Sequence, residues 1–236
     1  MPFLHTISRN VISPIIDFIY PPICVSCDEL LPDGSQQVCE RCWDSMQRVT
    51  REMPLYHETR TNLLETGYVS DLVSLFVFEK EGAFQHIAHA LKYDGFESLG
   101  KELGRRLGER MNEWNVTADL LIPIPLHKVK QRERGYNQAD LIARGISMVT
   151  GTPVLSNAVR RIRHTATQTQ LSLDERRKNV EDAFEVKKSH LSEIATKRCV
   201  LVDDVLTTGA TIQSCAQTLM GAGASEVIAA SAALAQ

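Results

Sequence analysis

The chain has 236 residues, 43% of them hydrophobic, and a formal net charge of -3. That length suits one α/β domain of roughly 150–200 residues plus a small extra module. The charge removes any whole-chain case for non-specific nucleic-acid binding, although it leaves room for a local basic patch. No apolar run is long enough to span a bilayer.

Residues 1–22 carry Ile7, Val11, Ile15 and Ile19 at helical spacing. This predicts an amphipathic helix that docks on the protein itself or on a partner. A membrane-surface helix is the alternative, and its weakly basic polar face argues against it. The segment lacks the cationic start, long apolar centre and small-residue cleavage site of a signal peptide. A cytoplasmic location is therefore expected.

Cys24, Cys27, Cys39 and Cys42 follow, two C-x2-C pairs separated by eleven residues. Each pair suits a knuckle whose thiolates converge on one ion, and two knuckles make the all-sulfur shell of a structural zinc. Pro32, Asp33 and Gly34 supply a turn between them. Two disulfides or a redox C-x-x-C pair are the alternatives; a reducing cytoplasm disfavours the first, and the duplication disfavours the second. Cys199 and Cys215 stand apart and read as buried, inert thiols.

Residues 44–66 are polar without a clean period and read as a connection. Leu72–Phe78 is a strand candidate. Helical patterns cover Ala83–Leu91 and Leu99 to about Trp114. Asp119–Pro123 reads as a short buried strand, and Ala139–Val149 as a helix closed by Gly151. After Met220, Gly221 and Gly223 end another helix, and Glu226–Leu234 is a last strand. Strands alternating with helices predict a mainly parallel α/β sheet with helices on both faces. The domain reading is residues 1–66 for the first helix, cysteine module and connection, and 67–236 for the α/β unit.

The most informative run is Val200–Thr211. An apolar strand ends in Asp203 and Asp204, and a Thr-Thr-Gly turn opens a helix. The carboxylates can accept hydrogen bonds from vicinal sugar hydroxyls. Thr207, Thr208, Gly209, Ala210 and Thr211 offer hydroxyls and backbone N–H groups to a phosphate, assisted by the helix dipole. Upstream, Lys128, Lys130, Arg132 and Arg134 form a basic loop suited to a polyanion such as pyrophosphate. Gly135 then precedes Tyr136, Asn137 and Gln138 at a helix start. Residues 160–182, including Arg163 and Arg176, are too polar for a core. They read as an arm that could close over a bound anion and exclude water.

The run Val200–Thr211 resembles the phosphoribosyl pyrophosphate (PRPP) motif of type I phosphoribosyltransferases. Nearly the whole chain resembles the ComF family of competence proteins. That likeness runs through Pro21–Cys27 and the second knuckle, Leu91-Lys92-Tyr93, Pro123–His127, Arg134–Gln138, Arg163 with Thr165 and Gln168, Arg176–Val180, and Asp203-Asp204. The resemblance implies a type I phosphoribosyltransferase fold behind an N-terminal zinc module, and a role in DNA uptake or handling during natural transformation. It implies PRPP bound with Mg2+: Asp203 and Asp204 on the ribose hydroxyls, Thr207–Thr211 on the 5-phosphate, and Lys128, Arg132 and Arg134 on the pyrophosphate, with Tyr136 and Asn137 beside them. Arg163 and Arg176 would belong to the closing arm. The front of the chain is spent on cysteines, so the glutaminase half of an amidophosphoribosyltransferase is not expected.

Two classes of function follow. One is an enzyme of phosphoribosyl transfer whose acceptor the residues do not name. The other is a binding protein on the same scaffold, holding single-stranded DNA on segments 128–134 and 160–178, with Tyr136 stacking on a base. A third reading makes the cysteine module and first helix a platform for a helicase or translocase partner.

Overall fold

The computed structural model describes residues 21–31, 37–162 and 183–235. The amphipathic helix expected at the start, the turn at Pro32–Gly34 and the arm bearing Arg163 and Arg176 lie outside those residues, apart from Pro21, Pro22 and the arm's two ends.

In chain order the elements are α1 (Glu40–Ser45), α2 (Pro54–Leu64), β1 (Asp71–Phe78), α3 (Ala83–Tyr93), α4 (Glu97–Glu113) and β2 (Leu120–Pro123). Then come α5 (Lys128–Arg134), α6 (Gln138–Thr150), β3 (Val159–Arg161), β4 (Phe184–Val186), α7 (Leu191–Ile194), β5 (Arg198–Leu206), α8 (Ala210–Gly221) and β6 (Glu226–Ala235). A parallel sheet of order β1-β6-β5-β2 forms the centre. β3 and β4 make a separate antiparallel ribbon.

Helices cover both faces of the sheet, so the central strands are buried on both sides and read as continuous apolar runs. Val200 and Val202 face one core with α1, α3, α4 and α6. Cys199 and Leu201 face the other with α2 and α8. On the first face α4 and α6 approach closely enough that a Cβ on Gly104 would stand 2.0 Å from the Ile142 carbonyl oxygen.

Three local readings change. Residues 54–64 form α2 rather than a connection. Pro54 starts it, where a missing N–H costs nothing, and only Tyr56, Thr59 and Leu63 are buried, too few for an apolar period to show. Residues 128–134 form the short helix α5 rather than a loop; none of its residues is buried, so no apolar stripe marks it. β5 continues through both aspartates to Leu206, because β6 pairs with it beyond the point where β2 stops at Pro123.

The cysteine module shares the first core. Trp43 of α1 stacks on Phe76 of β1 with ring centroids 6.1 Å apart. Ser26, between two of the cysteines, offers its carbonyl 2.9 Å from His86 Nδ1 on α3. Val49 donates its N–H to Leu75 O, and Val77 donates to Gln47 O, which lays residues 47–49 along the edge of β1.

Candidate functional site

The carboxyl ends of β5 and β2 form one edge of the sheet. Ile124, just past β2, donates its N–H to Val202 O at 2.9 Å, so the chain towards α5 departs beside Asp203. Each aspartate turns one oxygen back to the strand: Asp203 Oδ1 accepts the Asp204 N–H, and Asp204 Oδ1 accepts the Val205 N–H, both at 2.9 Å. The second oxygen of Asp204 is 2.7 Å from Lys92 Nζ, which arrives from the last turn of α3.

The two carboxyls are electrostatically unlike. Burial, and then the neighbouring charge of Asp204, push Asp203 up to about 8. Burial also works to raise Asp204, but the Lys92 ammonium outweighs it and holds that carboxyl below its ordinary value. Arg161, at the end of β3, feels the charge of Asp203, while burial lowers its own pKa. Neither Lys92 nor Arg161 was among the residues singled out for the site. The only sign of Lys92 was its place in Leu91-Lys92-Tyr93.

After β5, Thr207 and Thr208 are exposed, and Gly209 turns left-handed at φ +75° to cap α8. The first N–H groups of a helix have no intrahelical acceptor; in α8 that of Ala210 donates to Thr208 Oγ1 at 3.5 Å, and the next ones lie at the same edge. Thr211 is half-buried in its first turn.

Of the expected pyrophosphate segment, Lys128, Lys130 and Arg132 are exposed on α5. Arg134 is half-buried; its guanidinium lies over the Tyr93 ring at 5.4 Å and donates to Gln138 Oε1. Gly135, at φ +79°, ends α5. Asn137 caps α6 by accepting the Ala139 N–H, and donates to Ile124 O at 2.9 Å. The Tyr136 hydroxyl donates to Leu91 O at 2.6 Å. Tyr136 and Asn137 thus brace the basic helix against α3 and the exit from β2. The arm leaves after Ile162 and returns at Ala183, and the Ile162 N–H donates to Ala183 O at 2.8 Å. Its two ends are therefore joined.

The four sulfurs of Cys24, Cys27, Cys39 and Cys42 lie within 4.8 Å of one another, and those of Cys27 and Cys39 are 3.8 Å apart. Zinc–sulfur bonds of about 2.3 Å in a tetrahedron put sulfurs about 3.8 Å apart. The Cys24 sulfur accepts the Cys39 N–H. Although burial works to raise the Cys24 thiol, such backbone donors bring it down to about 7, favouring the thiolate a metal needs. The donor set fits one structural zinc. Cys199 and Cys215 are fully buried, and burial raises both thiols, Cys199 to about 11.

Comparison with known proteins bears on both parts. The family model "Phosphoribosyl transferase domain" matches residues 133–235, and "Double zinc ribbon domain" matches residues 15–53. Competence protein F of Haemophilus influenzae is 41% identical over 46% of this chain and 47% of its own length. Competence protein ComFC of Bacillus subtilis is 26% identical over 85% of this chain and 72% of its own. The chain is thus similar to the competence proteins F and ComFC.

A further relative, DNA utilization protein YhgH of Escherichia coli O157:H7, is 33% identical over 60% of this chain and 63% of its own length. The first relatives are thus matched over about half to three-fifths of their length. A solved structure described as the allosteric regulatory enzyme of purine biosynthesis aligns at TM-score 0.41 and 23% identity, over 61% of this chain and 30% of that one. The chain carries a type I phosphoribosyltransferase-like fold with a four-cysteine zinc module in front. Among the described residues no helix is long and apolar enough to cross a membrane.

Proposed function

We propose that this protein binds PRPP with Mg2+ at the carboxyl edge of β5, and acts in DNA uptake or handling during natural transformation. One observation carries the reading. Two aspartates near the end of a central parallel strand are followed, with four residues between, by a left-handed glycine and the N-terminus of a twelve-residue helix. Carboxylates that accept from sugar hydroxyls, next to N–H groups that hold a phosphate, suit a phosphorylated ribose. Asp203 and Asp204 take the hydroxyls, and Thr207–Thr211 take the 5-phosphate. Lys128, Arg132 and Arg134 take the pyrophosphate, where charge builds as the anomeric bond breaks. Mg2+ bridges pyrophosphate and sugar oxygens. Arg163 and Arg176 close the arm. Phosphoribosyl transfer to an acceptor is the reaction this arrangement suits. The names of the relatives, competence protein and DNA utilization protein, support the biological setting.

Titration calorimetry with PRPP and Mg2+ tests the site. Wild-type protein should release or absorb heat, and Asp203→Ala with Asp204→Ala should abolish it. No heat with wild-type protein for PRPP or ribose 5-phosphate would sink the reading.

A second reading, single-stranded DNA binding without turnover, is favoured by one feature. Tyr93 is 65% exposed beside Arg134 and the cations of α5. An exposed ring among cations is a stacking platform with an electrostatic track. Tyr93, rather than the braced Tyr136, is the ring available to a base. Lys128→Glu with Arg132→Glu should weaken binding of a labelled oligonucleotide at low salt and flatten its salt dependence, whereas the aspartate variants should not. A helicase or translocase is the partner proposed for the front module.

A further inference from the structure

The acidic pair poses an electrostatic problem that the basic helix does not solve. A ligand held by its sugar hydroxyls on two carboxylates, while carrying several phosphate charges, is repelled by the groups that hold it. A countercharge placed on the carboxylates themselves lowers that repulsion at its source. Lys92 stands there: its ammonium is 2.7 Å from Asp204 Oδ2, and both side chains are largely covered, at 24% and 18% exposure.

Its position is built in from two sides. Lys92 lies in the last turn of α3, between Leu91, which is 1% exposed in the core, and Tyr93, which lies under Arg134. The Leu91 carbonyl accepts from the Tyr136 hydroxyl at 2.6 Å and from Gln138 Nε2 at 3.4 Å. The end of α3 is therefore fastened to the start of α6, and it sets the ammonium on Asp204. Asp204 keeps its other oxygen on the Val205 N–H, so the buried oxygen on Lys92 is the one the strand does not hold.

We propose that Lys92 is a specificity-determining residue of this site: its ammonium, fixed on Asp204, supplies the countercharge that admits a pentose phosphate carrying a diphosphate at C1. This rests on the reading of the pair as a ribose-hydroxyl site. The C1 substituent adjoins the C2 hydroxyl held by the pair, whereas the 5-phosphate hangs from the far side of the ring. Lys92 therefore matters more for the diphosphorylated sugar than for the plain 5-phosphate. An ammonium has three donors, so it can keep Asp204 and still donate to a diphosphate oxygen.

The test is calorimetry of PRPP and of ribose 5-phosphate, both with Mg2+, on five proteins: wild type, Lys92→Gln, Lys92→Arg, Asp204→Asn and the Lys92→Gln/Asp204→Asn double variant. Lys92→Gln is expected to weaken PRPP about tenfold or more and ribose 5-phosphate less than about threefold, as loss of a charge-assisted contact to one group requires. Lys92→Arg should recover most of the PRPP affinity. The double variant should bind PRPP more weakly than Asp204→Asn alone, because the donor to the diphosphate is lost, but by a smaller factor than Lys92→Gln costs the wild type, because the charge that Lys92 offsets is gone. Lys92→Met, which keeps the apolar stem, replaces Lys92→Gln if that variant fails to match wild-type zinc content and thermal midpoint. Equal weakening of both ligands, unchanged PRPP affinity, or no recovery in Lys92→Arg overturns the proposal and leaves the sugar-site reading standing. A wild type that binds neither ligand overturns both.

Discussion

Gly209 makes its left-handed turn directly against the buried side chain of Leu63: a Cβ at Gly209 would stand 2.7 Å from Leu63 Cδ2. Helix α2, which the polar connection conceals, thus backs the Thr-Thr-Gly turn and sets how closely the chain can be wound there.

Gly209→Ala is expected to destabilise the protein by about 2 kcal/mol, from the left-handed conformation together with overpacking. Leu63 is 1% exposed and has little room to yield. In urea unfolding, Leu63→Ala combined with Gly209→Ala should lose less than the sum of the single changes, since the larger clash is gone. Additive losses would show that the two residues do not meet.

Metal analysis should find one zinc per chain among Cys24, Cys27, Cys39 and Cys42, and Cys24→Ser should lose it. Chelation is expected to lower the thermal midpoint of the whole protein, because Trp43 and Met46 belong to the same core as Phe76 and Leu103. One transition is expected in calorimetry. Two transitions, with only the first sensitive to chelator, would mean that residues 1–66 unfold as a unit of their own.

Asp203 gives stability a pH dependence of definite sign. Its folded pKa is raised to about 8, against about 3.9 for an unfolded aspartate. Between these values the folded chain holds a proton that the unfolded chain has shed, so this group's contribution falls as pH rises from about 4 to about 8. Asp204 has the opposite sign: its folded pKa is lowered, and its contribution is present above the unfolded value and lost as pH falls through the folded one. Asp203→Asn should flatten the decline between pH 4 and 8 in urea unfolding measured at a series of pH values. An unchanged slope would remove Asp203 as its source.

Gly145 sits where α6 crosses α4, and a Cβ there would stand 2.1 Å from the Lys101 carbonyl oxygen. A backbone neighbour cannot rotate away as a side chain can. Gly145→Ala should therefore cost about 3 kcal/mol or more despite the better helix propensity of alanine. A raised thermal midpoint would show that the two helices can separate freely.

Much of the site was legible because its signals are local. The aspartates, the Thr-Thr-Gly turn and the helix after them are close together in the chain, so strand, carboxylates, turn and helix start can be read from twelve neighbouring residues. The four cysteines declare themselves by spacing. The alternation of β1, α3, α4, β2 and α6 follows from apolar periods that each segment carries within itself. What left no such trace went unread: α5 buries nothing, α2 turns only three residues inward, and β3 and β4 have three residues each and exist only as partners.

By itself, then, the sequence determined the alternating α/β order, the metal-binding spacing and the carboxylate–turn–helix motif, since each depends on near neighbours and backbone preference. Only the tertiary structure decided that Lys92 meets Asp204, that Leu63 backs Gly209, and that Tyr136 is braced while Tyr93 is exposed. Those relationships join residues distant in the chain, and the packing of helices on the two faces of one sheet brings them together.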